Sequence, residues 1–213
     1  MNIAVLVSGG GTNLQALLDA QQENALGGGR IVCVISSRSD AYALERAQNA
    51  GIPTTVVERS THATGAAFDS ALLSALSNYQ AELIVLAGFL SIVGSTVTDA
   101  YKNRILNVHP SLIPAFCGKG FFGLRVHEAA LTAGVRVTGA TVHFVNEVPD
   151  GGPIVYQKAV RVFNDDTPEK LQKRVMEQAE WPLLTRAVAR FCEGNIHIEG
   201  NRATVVDSPA HPY

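Results

Sequence analysis

Residues 2–13 read Asn2-Ile3-Ala4-Val5-Leu6-Val7-Ser8-Gly9-Gly10-Gly11-Thr12-Asn13, an apolar run that ends in three consecutive glycines. The apolar run is too short to span a membrane and predicts a first buried strand. Leu14, Leu17 and Leu18 follow at helical spacing, so the glycines form the turn between this strand and a helix. A strand, a tight turn and a helix in this order are typical of an α/β sheet.

The same alternation continues over the first half of the chain. Short apolar runs separated by amphipathic segments indicate a parallel sheet with helices on both faces. Right-handed crossovers then predict a Rossmann-like, doubly wound sheet. The other strand-like runs here are Ile31–Ile35, Thr54–Val57, Leu83–Ala87 and Ile105–Val108, and helical spacing recurs at Ala43, Ala47 and Ala50 and at Leu72, Leu73 and Leu76.

The second half predicts an antiparallel extension of this sheet. Two longer strand candidates, Arg136–Val145 and Pro153–Val162, are separated by a polar, glycine-rich stretch. A long helix should follow, with Thr167 as its N-cap, Pro168 at its first position and a kink at Pro182.

The C-terminal end predicts a small hairpin. Its strands would be Ile196–Glu199 and Ala203–Val206, turning at Gly200-Asn201. The chain shows no repeat and no long linker, so we expect one domain over residues 1–206 and a loose tail over residues 207–213.

Bulk composition narrows the classes of function. The 213 residues carry a formal net charge of −2, so nothing global favours nucleic acid or a membrane surface as a partner. The three cysteines, Cys33, Cys117 and Cys192, form neither a paired motif nor a zinc spacing, which favours reduced thiols in the cytoplasm.

The glycine run has the character of an anion site. Three glycines allow the backbone to approach a ligand closely, and the following helix presents unpaired N–H groups and the positive end of its dipole. The run lacks dinucleotide spacing and the lysine of a P-loop, and no acidic residue closes the second strand at Ser36-Ser37-Arg38. We therefore predict a monophosphate site, the alternative being a tight turn without a ligand.

Asn107 and His109 lie at the end of the fifth predicted strand, where ligands bind in open α/β sheets. Being two residues apart in extended backbone, they point the same way and could hold a developing oxyanion. Bonding to loop backbone is an equal alternative. Asp150 lies in a Gly/Pro turn and could favour a charged His109, although sequence does not show that they meet. His143, which alternates within a strand, is interpreted as structural.

At these residues the sequence resembles the phosphoribosylglycinamide formyltransferases, folate-dependent enzymes of purine synthesis. The resemblance covers roughly residues 1–206. Its anchors are Val7–Gln15, Leu86–Phe89, Asn107–Pro114, Gly139–Val145 and Asp150–Pro153. Together these motifs are highly specific, whereas Asn-x-His-Pro-Ser-Leu alone indicates the wider formyltransferase group.

The resemblance implies transfer of a formyl group from the co-substrate 10-formyltetrahydrofolate to the amine of glycinamide ribonucleotide, without a metal, by a monomer or homodimer. It makes Asn107, His109 and Asp150 the catalytic trio. It further implies that Gly11, Thr12 and Asn13 hold the substrate phosphate and Glu180 the ribose, and that Leu90, Ser91, Ile92, Val93, Asn146, Glu147, Val148 and Pro149 line the folate pocket.

The sequence departs from the family pattern in four places. Ser91 stands where many relatives have arginine, and Gly65 lies where some relatives have a second arginine. The contacts of the folate tail therefore differ from those in such relatives. Trp181 replaces a more usual histidine after Glu180. The stretch 115–123 is longer than in some relatives and is interpreted either as a mobile flap or as an ordinary surface loop.

Three other functions compete with this interpretation. A formyltetrahydrofolate deformylase would share the Asn, His and Asp, but usually carries an N-terminal regulatory domain, whereas this chain starts at the first strand. A methionyl-tRNA formyltransferase would need a further domain and a basic surface. A non-catalytic phosphate-binding module would account for residues 9–13 but not for Asn107 and His109.

Overall fold

The computed structural model describes residues 1–206, whose main feature is a seven-stranded sheet of order β3-β2-β1-β4-β5-β6-β7. Neighbouring strands from β1 to β5 pair in parallel, while β6 and β7 are antiparallel. The predicted mostly parallel sheet with an antiparallel extension is confirmed. The strands are β1 (Asn2–Val7), β2 (Arg30–Ser36), β3 (Thr54–Val56), β4 (Leu83–Leu86), β5 (Ile105–His109), β6 (Val137–Phe144) and β7 (Ile154–Arg161).

Helices cover both faces of this sheet. Alternate residues of β1 enter two separate cores, because Val5 packs with Leu14 of α1 on one face while Leu6 packs with Phe68 and Leu72 of α3 on the other. The short helices α4 and α5 had no counterpart in the predicted elements. The helices are α1 (Thr12–Gln22), α2 (Ala43–Asn49), α3 (Gly65–Asn78), α4 (Ser95–Ala100), α5 (Leu124–Thr132), α6 (Pro168–Val175) and α7 (Trp181–Cys192).

The strand order reverses at β1, which lies between β2 and β4. Open α/β sheets form a crevice at such a switch point, beyond the carboxyl ends of the strands. The glycine run after β1 and residues 87–93 after β4 both emerge there. The fold therefore places the predicted anion site and the end of β5 along one edge.

The predicted long helix is present, because the backbone is helical without a break from Pro168 to Cys192, but it is not α-helical throughout. Thr167 caps α6 through a bond from the Lys170 N–H, and Pro168 opens the helix, as predicted. The interruption is a π-helical segment, Met176–Glu180, that lies before Pro182 rather than at it. Because proline has no N–H to pair with the carbonyl four residues earlier, a wider preceding turn accommodates it. Glu180, the last residue of this segment, is buried.

The predicted C-terminal hairpin is present. Strands β8 (Ile196–Glu199) and β9 (Arg202–Val205) pair antiparallel, and their apolar residues pack against the core. The tail prediction for residues 207–213 lies outside the described residues. Within residues 1–206, no helix is long and apolar enough to cross a membrane.

Candidate active site

The glycine run adopts a backbone that requires glycine at one position. Gly11 precedes α1 with φ of 72°, in the left-handed region. A Cβ on Gly11 would lie 2.6 Å from Cβ of Ala43, so the run packs directly on α2. The first N–H groups of α1 have no partner within the helix and are available to an anion.

These residues line one wall of a cavity of about 260 Å³. Met176 and Glu180 of the π-helical segment also line it, and Thr12 Oγ1 lies 3.5 Å from Met176 Sδ. The structure thus brings together the four residues predicted to bind substrate, namely Gly11, Thr12, Asn13 and Glu180.

A buried amide–carboxyl pair lies in this cavity. Asn13 Nδ2 donates to Glu180 Oε2 at 2.8 Å, while Asn13 Oδ1 is buried and has no partner. Burial raises the pKa of Glu180 to about 7, and the Asn13 bond opposes this only partly. Because its side-chain amide already donates to Glu180, Asn13 can bind an anion through its backbone N–H. Its free carbonyl oxygen and Glu180 suit hydroxyl groups better.

Replacing Glu180 by glutamine should remove a pH-dependent loss of stability. The folded pKa lies above the ordinary value of 4.5, so the folded state binds more protons between these pH values and stability falls as pH rises. The free energy of unfolding of the variant, relative to that of the wild type, should therefore increase from pH 5 to pH 8. The increase should reach on the order of 3 kcal/mol at pH 8. Urea unfolding at each pH measures this, and a constant difference would contradict it.

Asp150 is the centre of a second polar group at the end of β5. Its carboxylate accepts the Gly118 N–H at 2.8 Å and lies 3.8 Å from His109 Nδ1 and 3.5 Å from His143 Nε2. Asn107 Nδ2 lies 3.0 Å from the same His143 nitrogen. The structure therefore brings the three predicted catalytic residues into one network, with His143 as the link to Asn107.

Sequence reasoning missed His143 as a member of this network. Its Nδ1 bonds the Phe144 carbonyl, as the structural interpretation implies, but its Nε2 faces the site. The strand register would have identified His143, because β5 and β6 pair with Asn107 opposite His143. Side chains of directly opposed residues lie on the same face of a sheet. That register is a tertiary feature, so the sequence does not reveal it.

His109 is more deeply covered than its predicted role suggests. Burial lowers its pKa, and the nearby Asp150 opposes this shift without overcoming it. Burial acts to raise the pKa of Asp150, yet His143, His109 and the Gly118 N–H together hold it below its ordinary value. Asp150 was expected to keep His109 charged. Its charge does raise the pKa of the imidazole, but this effect is weaker than the lowering by burial.

The stretch 115–123 lies over His109. The Phe116 carbonyl accepts the bond from His109 Nε2 at 2.9 Å, and the rings of Phe116 and Phe121 are in contact. In this conformation, the nitrogen that could face an oxyanion is occupied. The loop therefore covers the site, as the flap interpretation supposes, while its motion stays a prediction.

A shallower cavity of about 160 Å³ adjoins Asn107, His143 and Asp150. Leu90 lines the glycine-run cavity instead, and Val148 lines an adjoining cavity of about 330 Å³ that shares Asn146 and Glu147 with the shallower one. Among residues 1–206, no group of three His, Cys, Asp or Glu side chains could hold a metal ion. The predicted folate-pocket residues that do line the shallower cavity are Ser91, Ile92, Val93, Asn146, Glu147 and Pro149.

The glycine run and the first N–H groups of α1 form a site for an anion, which we call the cradle. The cradle and the amide–imidazole–carboxylate network lie along one edge of an α/β sheet. This arrangement suits transfer of a small group to a phosphorylated acceptor. The sequence profile of the family described as formyl transferase matches residues 1–188, and the chain belongs to that family.

Its relatives narrow the class further. The chain is 40% identical to the phosphoribosylglycinamide formyltransferase of Haemophilus influenzae, covering 99% of this chain and 95% of that protein. Glycinamide ribonucleotide transformylase 1 from Symbiobacterium toebii superimposes with a TM-score of 0.91 at 43% identity, covering 97% of this chain and 94% of that one. A formyltetrahydrofolate deformylase from Pseudomonas syringae superimposes with a TM-score of 0.86, but at 26% identity and covering 66% of that chain against 97% of this one.

Proposed function

We infer that the protein is a phosphoribosylglycinamide formyltransferase, which moves the formyl group of 10-formyltetrahydrofolate to the amine of glycinamide ribonucleotide in purine synthesis. The observation that carries this is the likeness, over nearly the full length of both chains, to the Haemophilus influenzae enzyme of that name. The site agrees, because a cradle for a phosphate and a network for acyl transfer border the same segment after β4.

The substrates occupy the two cavities. The phosphate of glycinamide ribonucleotide binds the N–H groups at Gly11, Thr12 and Asn13, and its ribose hydroxyls bind Glu180. The folate enters the shallower cavity beside Asn107 and Asp150, where exposed Ile92 offers an apolar surface for its ring system. Ser91 and Gly65 offer no positive charge to the folate tail.

The reaction needs no covalent bond to the protein. The neutral amine attacks the formyl carbon, and the carbonyl electron pair moves onto oxygen, where Asn107 Nδ2 and Nε2 of the protonated His109 donate to it. To do so, Asn107 leaves His143 and His109 leaves the Phe116 carbonyl, their partners in this structure. A proton passes from the amine, through a water held by Asp150, to the folate nitrogen. The bond from the formyl carbon to that nitrogen breaks as the carbonyl re-forms.

One assay distinguishes this function from the alternatives. The purified protein is mixed with 10-formyltetrahydrofolate, with and without glycinamide ribonucleotide, and formation of tetrahydrofolate is followed. We expect turnover only when the acceptor is present, with one formylated acceptor per folate released. Equal turnover without acceptor would identify a deformylase, and no turnover in either mixture would favour a binding module.

A further inference from the structure

Arg46 of α2 lies behind the glycine run and bonds to it. Its Nε donates to the Gly10 carbonyl at 2.8 Å, and its Nη1 donates to Gln15 Oε1 of α1 at 2.9 Å. The guanidinium also lies over the Tyr42 ring, 5.1 Å from its centroid. Arg46 is not among the residues that line the phosphate cavity, so it contacts the cradle from the outside.

These bonds decide which way the glycine peptides face. The Gly9 carbonyl also points to α2, because it accepts the Ala43 N–H at 3.0 Å. In a trans peptide, a carbonyl and the next N–H lie in one plane and point in opposite directions. Holding the Gly9 and Gly10 carbonyls toward α2 therefore turns the N–H groups of Gly10 and Gly11 away from it. The cavity lined by the glycine run lies away from α2.

Arg46 also places a positive charge behind the cradle. Among residues 1–206, Arg46 forms no ion pair, whereas Arg38 and Arg174 are each paired with an aspartate. An unneutralised guanidinium adds to the dipole of α1 in attracting an anion. The backbone alone could not fix this loop firmly, because glycines have the greatest conformational freedom.

We propose that Arg46 is a positioning residue for the acceptor's phosphate: through Gly10 and Gln15 it holds the glycine run with its N–H groups turned into the cavity. This proposal rests on the proposed function, since it concerns the same phosphate. It assigns Arg46 no contact with the substrate and no part in the transfer of the formyl group.

The test compares Arg46→Met and Arg46→Lys with a matched control, Arg104→Met. Arg104 also lies over a tyrosine ring and donates to a backbone carbonyl, but it precedes β5, at the opposite edge of the sheet. For Arg46→Met, KM for glycinamide ribonucleotide should rise on the order of tenfold, the effect of one charge-assisted bond, with kcat within about twofold of wild type. Lysine cannot make both bonds of the fork, so Arg46→Lys should not restore KM fully.

An acceptor without phosphate separates positioning from general damage. With glycinamide riboside, Arg46→Met and wild type should have the same kcat/KM, because the riboside does not use the cradle. An equal loss with both acceptors, full recovery in Arg46→Lys, or the same rise in KM for Arg104→Met would each overturn the proposal.

Inorganic phosphate makes the test independent of the reaction. Phosphate should raise the Tm of wild type and of Arg104→Met, and raise that of Arg46→Met markedly less. This comparison holds even if wild type does not formylate glycinamide ribonucleotide, in which case the proposed function alone fails. Equal stabilisation of all three proteins by phosphate would overturn the role of Arg46.

Discussion

Alanine in place of His109 is expected to lower kcat by about 10²–10³-fold, the factor typical of losing one donor to a developing oxyanion. The imidazole can supply such a donor at the end of β5 once the Phe116 carbonyl releases its Nε2. KM for glycinamide ribonucleotide should change little, because the proposed phosphate site is at the glycine run, in a cavity that His109 does not line. Steady-state kinetics at saturating folate measure both constants.

Asn107→Ala should have a loss of similar size, and combining the two replacements tests whether they act together. Residues that stabilise one charge are not additive, so the double variant should lose less than the product of the single losses. His197→Ala is the control, because His197 is an exposed histidine on the hairpin. Near-full turnover in a folded His109→Ala or Asn107→Ala protein would contradict the catalytic assignment.

Much of this fold could be predicted because its signals are local. The run Asn2–Val7 and the leucines of α1 show a change of hydrophobic period across the glycines, and the same change recurs after β2 and after β3. Helix α4 has only 6 residues, too few to show an apolar period, whereas α5, with 9 residues, is longer than the predicted α2 and was missed although its buried Val126 and Ala130 lie four residues apart. The π-helical segment depends on how Pro182 is accommodated, which spacing does not specify.

The candidate site, like the fold, has some residues that the sequence could predict and others that it could not. Asn107 and His109 could be proposed from their alternation in a strand, because two residues in extended backbone share a face. Asp150 could not, since its place depends on a turn where its own φ is 55° and on loop residues such as Gly118. The depth of His109 under residues 115–123 is likewise a property of the tertiary structure. Its direct consequence is a lowered pKa of His109, which the sequence could not give because it shows neither the burial of the imidazole nor its distance from Asp150.

Asp150→Asn is expected to lower kcat near pH 7.5 by about 10²–10⁴-fold, the range typical of a group that directs proton transfer. Asparagine retains an oxygen that can accept the Gly118 N–H, so the turn should keep its place. What the variant loses is the negative charge beside His109 Nδ1 and His143 Nε2. Asp165→Asn, on an exposed aspartate paired with Lys170, is the matched control.

The pH profile makes this prediction specific to the charge. Burial already lowers the pKa of His109, and Asp150 is the main influence that raises it. Removing that charge must lower the pKa of His109 further, so the imidazolium persists only at lower pH. The limb of kcat that falls as His109 loses its proton should therefore move to lower pH in Asp150→Asn and stay in place in Asp165→Asn. A reduced kcat with an unshifted limb would mean that Asp150 acts on the migrating proton and not on the charge of His109.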